Sequence, residues 1–172
     1  VGTIVRNIRE SNQHKDYTDS VMLMSNKSWK EIKEMQSNEV LELFRLYKKY
    51  DSFSDPELRL HLFPSFNLSQ YKLHYEGEEL IGFTNWAYLS NEAQNRFKKT
   101  GILKKQDWKS GSNIWHIETV AKKNLRNIMS WTKDFFSSRL EEGTPVHWLR
   151  IKDNKPYRQA TRYTKEVYKW VQ

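Results

Sequence analysis

A histidine and a glutamate stand two residues apart in the segment "NIWHIETV" at positions 113–120. Its apolar and polar residues predict a β-strand, and on a regular strand Ile114, His116, Glu118 and Val120 point to one face. A carboxylate beside an imidazole raises the basicity of the ring and fixes its orientation, which is what a general base requires. We therefore predict a His116–Glu118 pair, although polar groups on a solvated sheet edge would give the same pattern.

Positive charge follows this strand at once. Lys122, Lys123 and Arg126, with Asn124 between them, lie where the next helix is predicted to begin. A helix N-terminus presents free N–H groups, so these residues could hold a phosphate or another anion. A solvated basic turn is the equally weighted alternative.

Seven tryptophans raise a similar choice between a ligand groove and a core. Trp86, Trp108 and Trp115 could line an apolar groove, but large aromatic residues in a sheet are more often packing, and we favour the core. The remaining histidines, His61, His74 and His147, are isolated and favour structural or exposed positions. No Gly-rich phosphate loop, metal-ligand cluster or Ser-His-Asp order is found.

The elements that must position these residues alternate between helical and strand periodicity. Residues 1–27 predict an irregular arm, and apolar residues from 28 to 50 predict one long helix or two broken near 37–38. Pro56 predicts a helix start and Pro64 its end. Hairpins are predicted around Glu76–Gly77 and Asp153–Asn154, with Gly82 at a bulge or a close approach.

Three further helices complete the predicted order. The first is capped by Ser90 and closed by Gly101. The second runs from about 124 to 140 because its apolar residues recur at helical spacing. The last closes the chain, marked by Val167, Trp170 and Val171. The order predicts an α+β or mixed α/β fold with one sheet covered by helices. The strand at 114–121, which a helix follows at once, is where we expect a ligand.

The composition bounds the function. The chain has 172 residues, no cysteine and a formal charge of +8. The absence of cysteine excludes disulfides and thiol nucleophiles and favours a cytoplasmic setting. No apolar run is long enough for a membrane span. The positive charge favours an acidic partner such as a carrier protein, phosphate groups or nucleic acid.

Three segments resemble the toxin-activating lysine acyltransferases, which fatty-acylate RTX haemolysins. The segments "FPSF" and "QYKL" at 63–73 are similar to the family's Leu-Pro-Ala-Ile and Gln-Tyr-Val-Leu. The segment "NWAYLS" at 85–90 is similar to Ser-Trp-Ala-Asn-Leu-Ser. The segments "DWKSGS" and "WHIE" at 107–118 are similar to Asp-Trp-Thr-Ser-Gly-Asp and Trp-Phe-Ile-Asp. A looser likeness continues to about residue 163.

The resemblance implies a GNAT-like fold, in which an acyl thioester lies against a splayed, mixed and mostly antiparallel sheet and an amine attacks it. It implies a donor on acyl carrier protein or coenzyme A, internal lysines of a toxin precursor as acceptors, and a homodimer. No tightly bound cofactor or metal is implied. From this resemblance we predict two parts of the chain: an N-terminal arm and helical extension at 1–50, and a GNAT-like acyltransferase domain at 51–172.

The sequence departs from this family in three ways. The family's catalytic histidine has no counterpart, since counting back from Pro64 reaches Tyr50 and Asp51. The family's aspartate corresponds to Glu118. The loop after the strand, Ala-Pro-Phe-Gly in the family, has gained Lys122 and Lys123 here.

We therefore predict an N-acyltransferase that uses His116 and Glu118 as its base pair and binds its donor with Lys122, Lys123, Asn124, Arg126 and Trp86. Two alternatives stay open: a basic protein that binds or modifies nucleic acid on the same fold, and an inactive relative that only binds a partner.

Overall fold

The computed structural model describes residues 29–153 and 155–165. Their helices and strands, in chain order, are α1 (Trp29–Phe44), α2 (Asp55–Asn67), β1 (Tyr71–Glu76), β2 (Glu79–Leu89), α3 (Asn91–Thr100), β3 (Asn113–Ala121), α4 (Leu125–Arg139), β4 (Pro145–Lys152) and β5 (Lys155–Tyr163), with short 3-10 turns at Lys48–Tyr50 and Lys105–Asp107. The predicted arm at 1–27 and the closing helix lie outside the described residues.

The five strands form one sheet in the order β1-β2-β3-β4-β5, with β3 at its centre. Every neighbouring pair is antiparallel except β3 and β4, which are parallel. That pair is in register only at Ile114–Val146 and Trp115–His147, and the two strands part beyond these residues. The mixed, mostly antiparallel sheet flanked by helices confirms the predicted α+β class.

Helices cover both faces of the sheet. On the first face, α1 and α2 enclose a core that includes Val40, Phe44 and Phe83, while Phe97 of α3 packs on Trp115 and Trp108. On the second face, Phe135 and Phe136 of α4 form a core cluster with side chains from β2, β3 and β4. Burying one such large apolar side chain contributes roughly 1.5–3 kcal/mol, so the packing fixes these helices on the sheet.

Helix ends follow local sequence signals. Ser54 accepts from the Glu57 amide and Glu57 accepts from the Ser54 amide, a capping box at the start of α2. Ser90 caps α3, and Gly101 ends it in the left-handed conformation at φ 69°. These two ends of α3 are confirmed as predicted.

The prediction that Pro64 ends its helix is wrong, because α2 continues through Pro64 to Asn67. Proline cannot donate to the carbonyl four residues earlier, which here belongs to Leu60. Leu60 lies on the exposed side of the helix, with 75% of its surface accessible. Water can therefore satisfy that carbonyl, and the helix tolerates the ring.

A bulge in β3 overturns the predicted strand faces. Asn85 of β2 pairs with Glu118, but the next residue, Trp86, pairs with His116, so Ile117 is an extra residue in β3. Such a residue reverses the alternation of the side chains that follow it. His116 therefore points to the α4 face and Glu118 to the α2 face, and the shared face predicted for them is wrong.

The predicted close approach at Gly82 is confirmed. A β-bulge lies beside it, since His74 pairs with Gly82 while Tyr75 pairs with Leu80. A Cβ atom at Gly82 would collide with the Cδ1 atom of Ile128 on α4.

In the described part of the chain, no helix is both long and apolar enough to cross a bilayer.

Candidate active site

A histidine and a glutamate from distant parts of the chain meet on the α2 face of the sheet. The Nε2 atom of His61, from α2, is in direct contact with the Glu118 carboxylate on β3. The side chain of Glu118 is 10% exposed and that of His61 is 31% exposed. His61 is therefore not isolated, and that part of the sequence interpretation is wrong.

Residue spacing explains how α2 brings His61 to this position. Leu58, His61, Leu62 and Ser65 recur at three- and four-residue steps, so they lie on one side of the helix. Leu58, Leu62 and Ser65 are buried. His61 shares their side, and this was the signal in the sequence that pointed to it: a histidine on the core-facing stripe of a helix.

Three aromatic rings surround the His61 imidazole. Its centroid lies 5.9 Å from Phe53, 6.3 Å from Tyr50 and 6.4 Å from Phe44. Burial among these rings and the charge of Lys49 oppose protonation of the imidazole. The attraction and hydrogen bond of Glu118 outweigh both, so the pKa of His61 lies above its ordinary value.

Two further side chains hydrogen-bond with the Glu118 carboxylate. The Asn85 amide donates to it at 3.4 Å, and the buried Tyr50 hydroxyl also donates to it. Burial, together with the negative charge of Glu118, raises the pKa of Tyr50. The carboxylate thus has donors on several sides, which fixes its orientation toward His61. Tyr50 was one of the two positions reached by counting back from Pro64. Asp51, the other, is exposed in a turn.

His116 belongs to a different polar group on the opposite face. Its Nε2 atom lies 2.7 Å from the Thr119 hydroxyl, which lies 3.3 Å from the Thr84 hydroxyl. Thr84 hydrogen-bonds in turn with His74 at 3.0 Å. Burial lowers the pKa of His116 to about 4 and, together with Lys72, the pKa of His74 to about 3. Both rings are neutral near pH 7, and they satisfy polar atoms beneath α4.

A cavity of about 630 Å³ opens where β3 and β4 part. His116, Ile117 and Thr119 of β3 form one side of it. The other walls are apolar with a few charges, from α4 and from the β4–β5 hairpin, and include Leu125, Met129, Phe136, Trp148, Lys133 and Arg162. The bulge residue Ile117 lines the cavity, and its chain neighbour Glu118 points to the opposite, α2 face.

The cations at the start of α4 are largely paired. Lys122 lies 2.8 Å from Glu79, and Lys123 lies 3.1 Å from Glu76 and 3.3 Å from Glu79. Asn124 donates to Glu76 at 2.5 Å. Arg126 is exposed. An anion binding here has to compete with these two glutamates for the lysines.

The three tryptophans weighed in the sequence are core residues. Trp86 is 1% exposed and packs on Phe135, Trp115 is fully buried, and Trp108 is 2% exposed. Contact between Trp86 and a bound donor therefore requires this packing to open. Over the residues that the structure describes, His, Asp and Glu side chains form no group of three that could hold a metal.

The fold and the site define an α+β protein with a histidine–carboxylate pair beside a parted sheet. A sequence model of the RTX toxin acyltransferase family matches residues 38–163, which is most of the chain. The chain therefore belongs to that family.

One curated relative is RTX-II toxin-activating lysine-acyltransferase ApxIIC of Actinobacillus pleuropneumoniae. It is 34% identical over 65 residues, which are 37% of this chain and 41% of the relative. The match thus spans about two fifths of that relative's length.

Proposed function

We propose that this protein is an acyltransferase that moves an acyl group from a thioester, on acyl carrier protein or coenzyme A, to a lysine amine of a toxin precursor. The observation that carries the proposal is the His61–Glu118 pair beside the parting of β3 and β4. Membership in the RTX toxin acyltransferase family supports the reaction class.

His61 is the proposed general base in place of His116. Glu118 accepts the Nε2–H hydrogen bond, which selects the tautomer with a free Nδ1 lone pair. Nδ1 has no hydrogen-bond partner within 29–153 and 155–165, so it is the atom that takes the proton. Glu118 then stabilises the imidazolium that forms. Tyr50 and Asn85 are positioning residues, since they act through the carboxylate.

The reaction balances without a metal or a redox group. The amine lone pair attacks the acyl carbon, a C–N bond forms and the C–S bond breaks. The proton released from the amine passes to Nδ1 of His61 and then to the leaving thiolate. Beyond Trp115, β3 has no pairing to β4, so its backbone N–H groups on that side are candidates to hold the oxyanion.

The cavity between β3 and β4 is the proposed donor site. Its apolar lining suits an acyl chain, and residues of both parted strands line it, in keeping with the splayed sheet that the GNAT-like resemblance implies. Arg126 and the N-terminus of α4 are proposed to contact a phosphate on the donor. Lys122, Lys123 and Asn124 can join them only by giving up Glu76 and Glu79.

The test compares three single variants. A fatty acyl carrier protein and a toxin precursor are incubated with each protein, and the acceptor mass is followed. We expect His61→Ala and Glu118→Gln to lower the rate by about 10²–10⁴-fold, the usual loss for a general base. His74→Ala is the matched control, a buried histidine on the α4 face that is not among the residues lining the cavity, and it keeps a rate within about tenfold of the parent.

Melting temperatures show whether each variant is folded. A folded His61→Ala variant with the parent rate contradicts the base assignment. A folded His74→Ala variant that loses as much activity as His61→Ala contradicts it too. If the parent transfers no acyl group to any amine, the proposed reaction itself is wrong.

A further inference from the structure

The β4–β5 hairpin carries a concentration of positive charge. Between residues 145 and 165 the chain has six Lys or Arg residues and one acidic residue, a net charge of +5 within a whole-chain charge of +8. Arg150 and Arg158 are cross-strand partners, directly opposite one another, and both are exposed. Like charges in such a pair destabilise a hairpin, so a role in folding does not account for them.

These arginines lie on the face of the hairpin that looks toward the cavity. Arg150 and Trp148 share a strand face with Val146, and the residues opposite the three are Arg158, Ala160 and Arg162. Val146, Trp148 and Arg162 line the cavity. We call Arg150, Arg158 and Arg162 the arginine face.

The other face of the hairpin is already covered. Trp115 packs on the His147 ring at 5.2 Å, and Leu149 packs against the same buried cluster as α3. A Cβ atom at Gly101, the end of α3, would lie 3.2 Å from Pro156 and 3.9 Å from Leu149. The hairpin is thus anchored on one side and presents its arginines on the other.

The arginine face is without an ion-pair partner in the part of the chain that the structure describes. Across 29–153 and 155–165, none of its three arginines takes part in an ion pair. Asp134 of α4 is an acidic residue of the cavity wall, alongside the cations Lys133 and Lys165. The lysines at the start of α4, by contrast, are held by Glu76 and Glu79. Free positive charge therefore borders the cavity at the hairpin.

We propose that the arginine face docks the acidic surface of acyl carrier protein, so that its acyl arm enters the cavity between β3 and β4. This inference rests on the proposed function for its donor. The charges are complementary, because a carrier of this kind is acidic and exposed arginines form bidentate contacts with carboxylates. The apolar cavity beside them supplies the place for the chain that the carrier delivers.

The first experiment measures binding alone. A non-hydrolysable acyl-loaded acyl carrier protein is titrated into the parent and into R150E/R158E, at low and at physiological salt. We expect parent binding that weakens as salt rises, and at least tenfold weaker binding for the variant at low salt. The double reversal replaces one like-charge pair with another, so its melting temperature stays near that of the parent.

The matched control is K99E/K109E, which makes the same change in charge at two exposed lysines outside the hairpin. It retains binding within about threefold of the parent. Three outcomes overturn the docking surface. Carrier binding could weaken equally in both variants, it could stay unchanged in R150E/R158E, or the parent could fail to bind the carrier. So does a parent that binds duplex DNA through these arginines and leaves the carrier unbound.

The second experiment separates docking from catalysis. With a small soluble acyl thioester as donor, R150E/R158E keeps the parent rate, whereas His61→Ala loses it. With carrier-bound acyl groups, both variants are slow. Loss of transfer from the small thioester in R150E/R158E contradicts a docking role. If the parent transfers from neither donor, the proposed reaction falls, and the binding titration still decides the docking surface.

Discussion

At the scale of single residues, the main finding is that the carboxylate expected from the sequence has a different partner. Glu118 lies beside His61, which is 57 residues earlier in the chain, and not beside His116, which is two residues away. Tyr50 and Asn85 complete its surroundings. Counting back from Pro64 by the family's spacing reaches Tyr50 where the resemblance predicts a histidine. Tyr50 contacts the same Glu118 carboxylate.

The pH dependence of the proposed reaction follows from the pKa of His61. A base must be unprotonated, so the rate falls as pH falls through that pKa, which Glu118 holds above its ordinary value. Glu118→Gln removes the raising charge and leaves the burial that lowers the pKa. We expect the acid limb of the pH–rate profile to move to lower pH in this variant, measured on its residual activity.

Tyr50→Phe provides the opposite shift as a control. It removes a donor from Glu118, which strengthens the attraction between that carboxylate and the His61 imidazolium, so the acid limb moves to higher pH. Shifts of both variants in the same direction contradict this arrangement of charges.

At the scale of elements, turns and caps were predictable and long-range contacts were not. Ser90 and Gly101 bound α3 as expected because each acts on the backbone within four residues. The bulge at Ile117 carries no such signal, since isoleucine is an ordinary strand residue. The His61–Glu118 contact depends on the packing of α2 on the sheet, which no local pattern encodes. The spacing of His61 with Leu58 and Leu62 indicated only that it faces the core.

The segments shared with the family have structural roles that the sequence did not reveal. The Gln70 amide donates to the carbonyls of Trp86 at 3.0 Å and Trp108 at 2.9 Å. The amides of Ser110 and Gly111 donate to the Tyr88 carbonyl at 2.8 and 3.1 Å. These bonds tie the segment before β3 to β2. Trp108, the tryptophan of the "DWKSGS" segment, is a core residue, and the segment joins two parts of the fold.

Gly111→Ala tests this junction. A Cβ atom there would lie 2.6 Å from the Ser90 backbone nitrogen and Cα, and 2.7 Å from the Leu89 carbonyl oxygen. Backbone atoms cannot move aside as a side chain can, so we expect a loss of about 1–3 kcal/mol or more in the free energy of unfolding, measured by urea denaturation.

Gly82→Ala is the comparison, because the atom that a new Cβ meets first is the end of the flexible Ile128 side chain. It should cost less than Gly111→Ala. The reverse order contradicts the view that the Gly111 contact is the tighter constraint.

At the scale of the whole molecule, α1 and the sheet share one core. Val40 and Phe44 are fully buried, and Leu43 is 4% exposed, in a cluster that also contains Leu73 and Phe83. The boundary predicted at residue 50 therefore falls between a helix and the strands that it covers. The match to the family model covers residues 38–163 of this chain and therefore begins within α1.

We expect a chain that begins at residue 51 to lose cooperative thermal unfolding. Without α1 and Tyr50, it exposes Phe83 and removes one of the donors to Glu118. The full chain is the control and unfolds in a single transition. A stable, cooperative fragment from residue 51 contradicts the shared core.

The extra residue at Ile117 has a consequence for how this strand can change over generations. In β3, His116 points to the cavity and Glu118 points to His61. They lie on opposite faces because β3 has one residue more than β2 between these two positions. A substitution at residue 117 keeps the number of residues in β3. A deletion or insertion of one residue would move every later side chain of the strand to the opposite face of the sheet. Mutational drift in β3 is therefore constrained by length before it is constrained by chemistry.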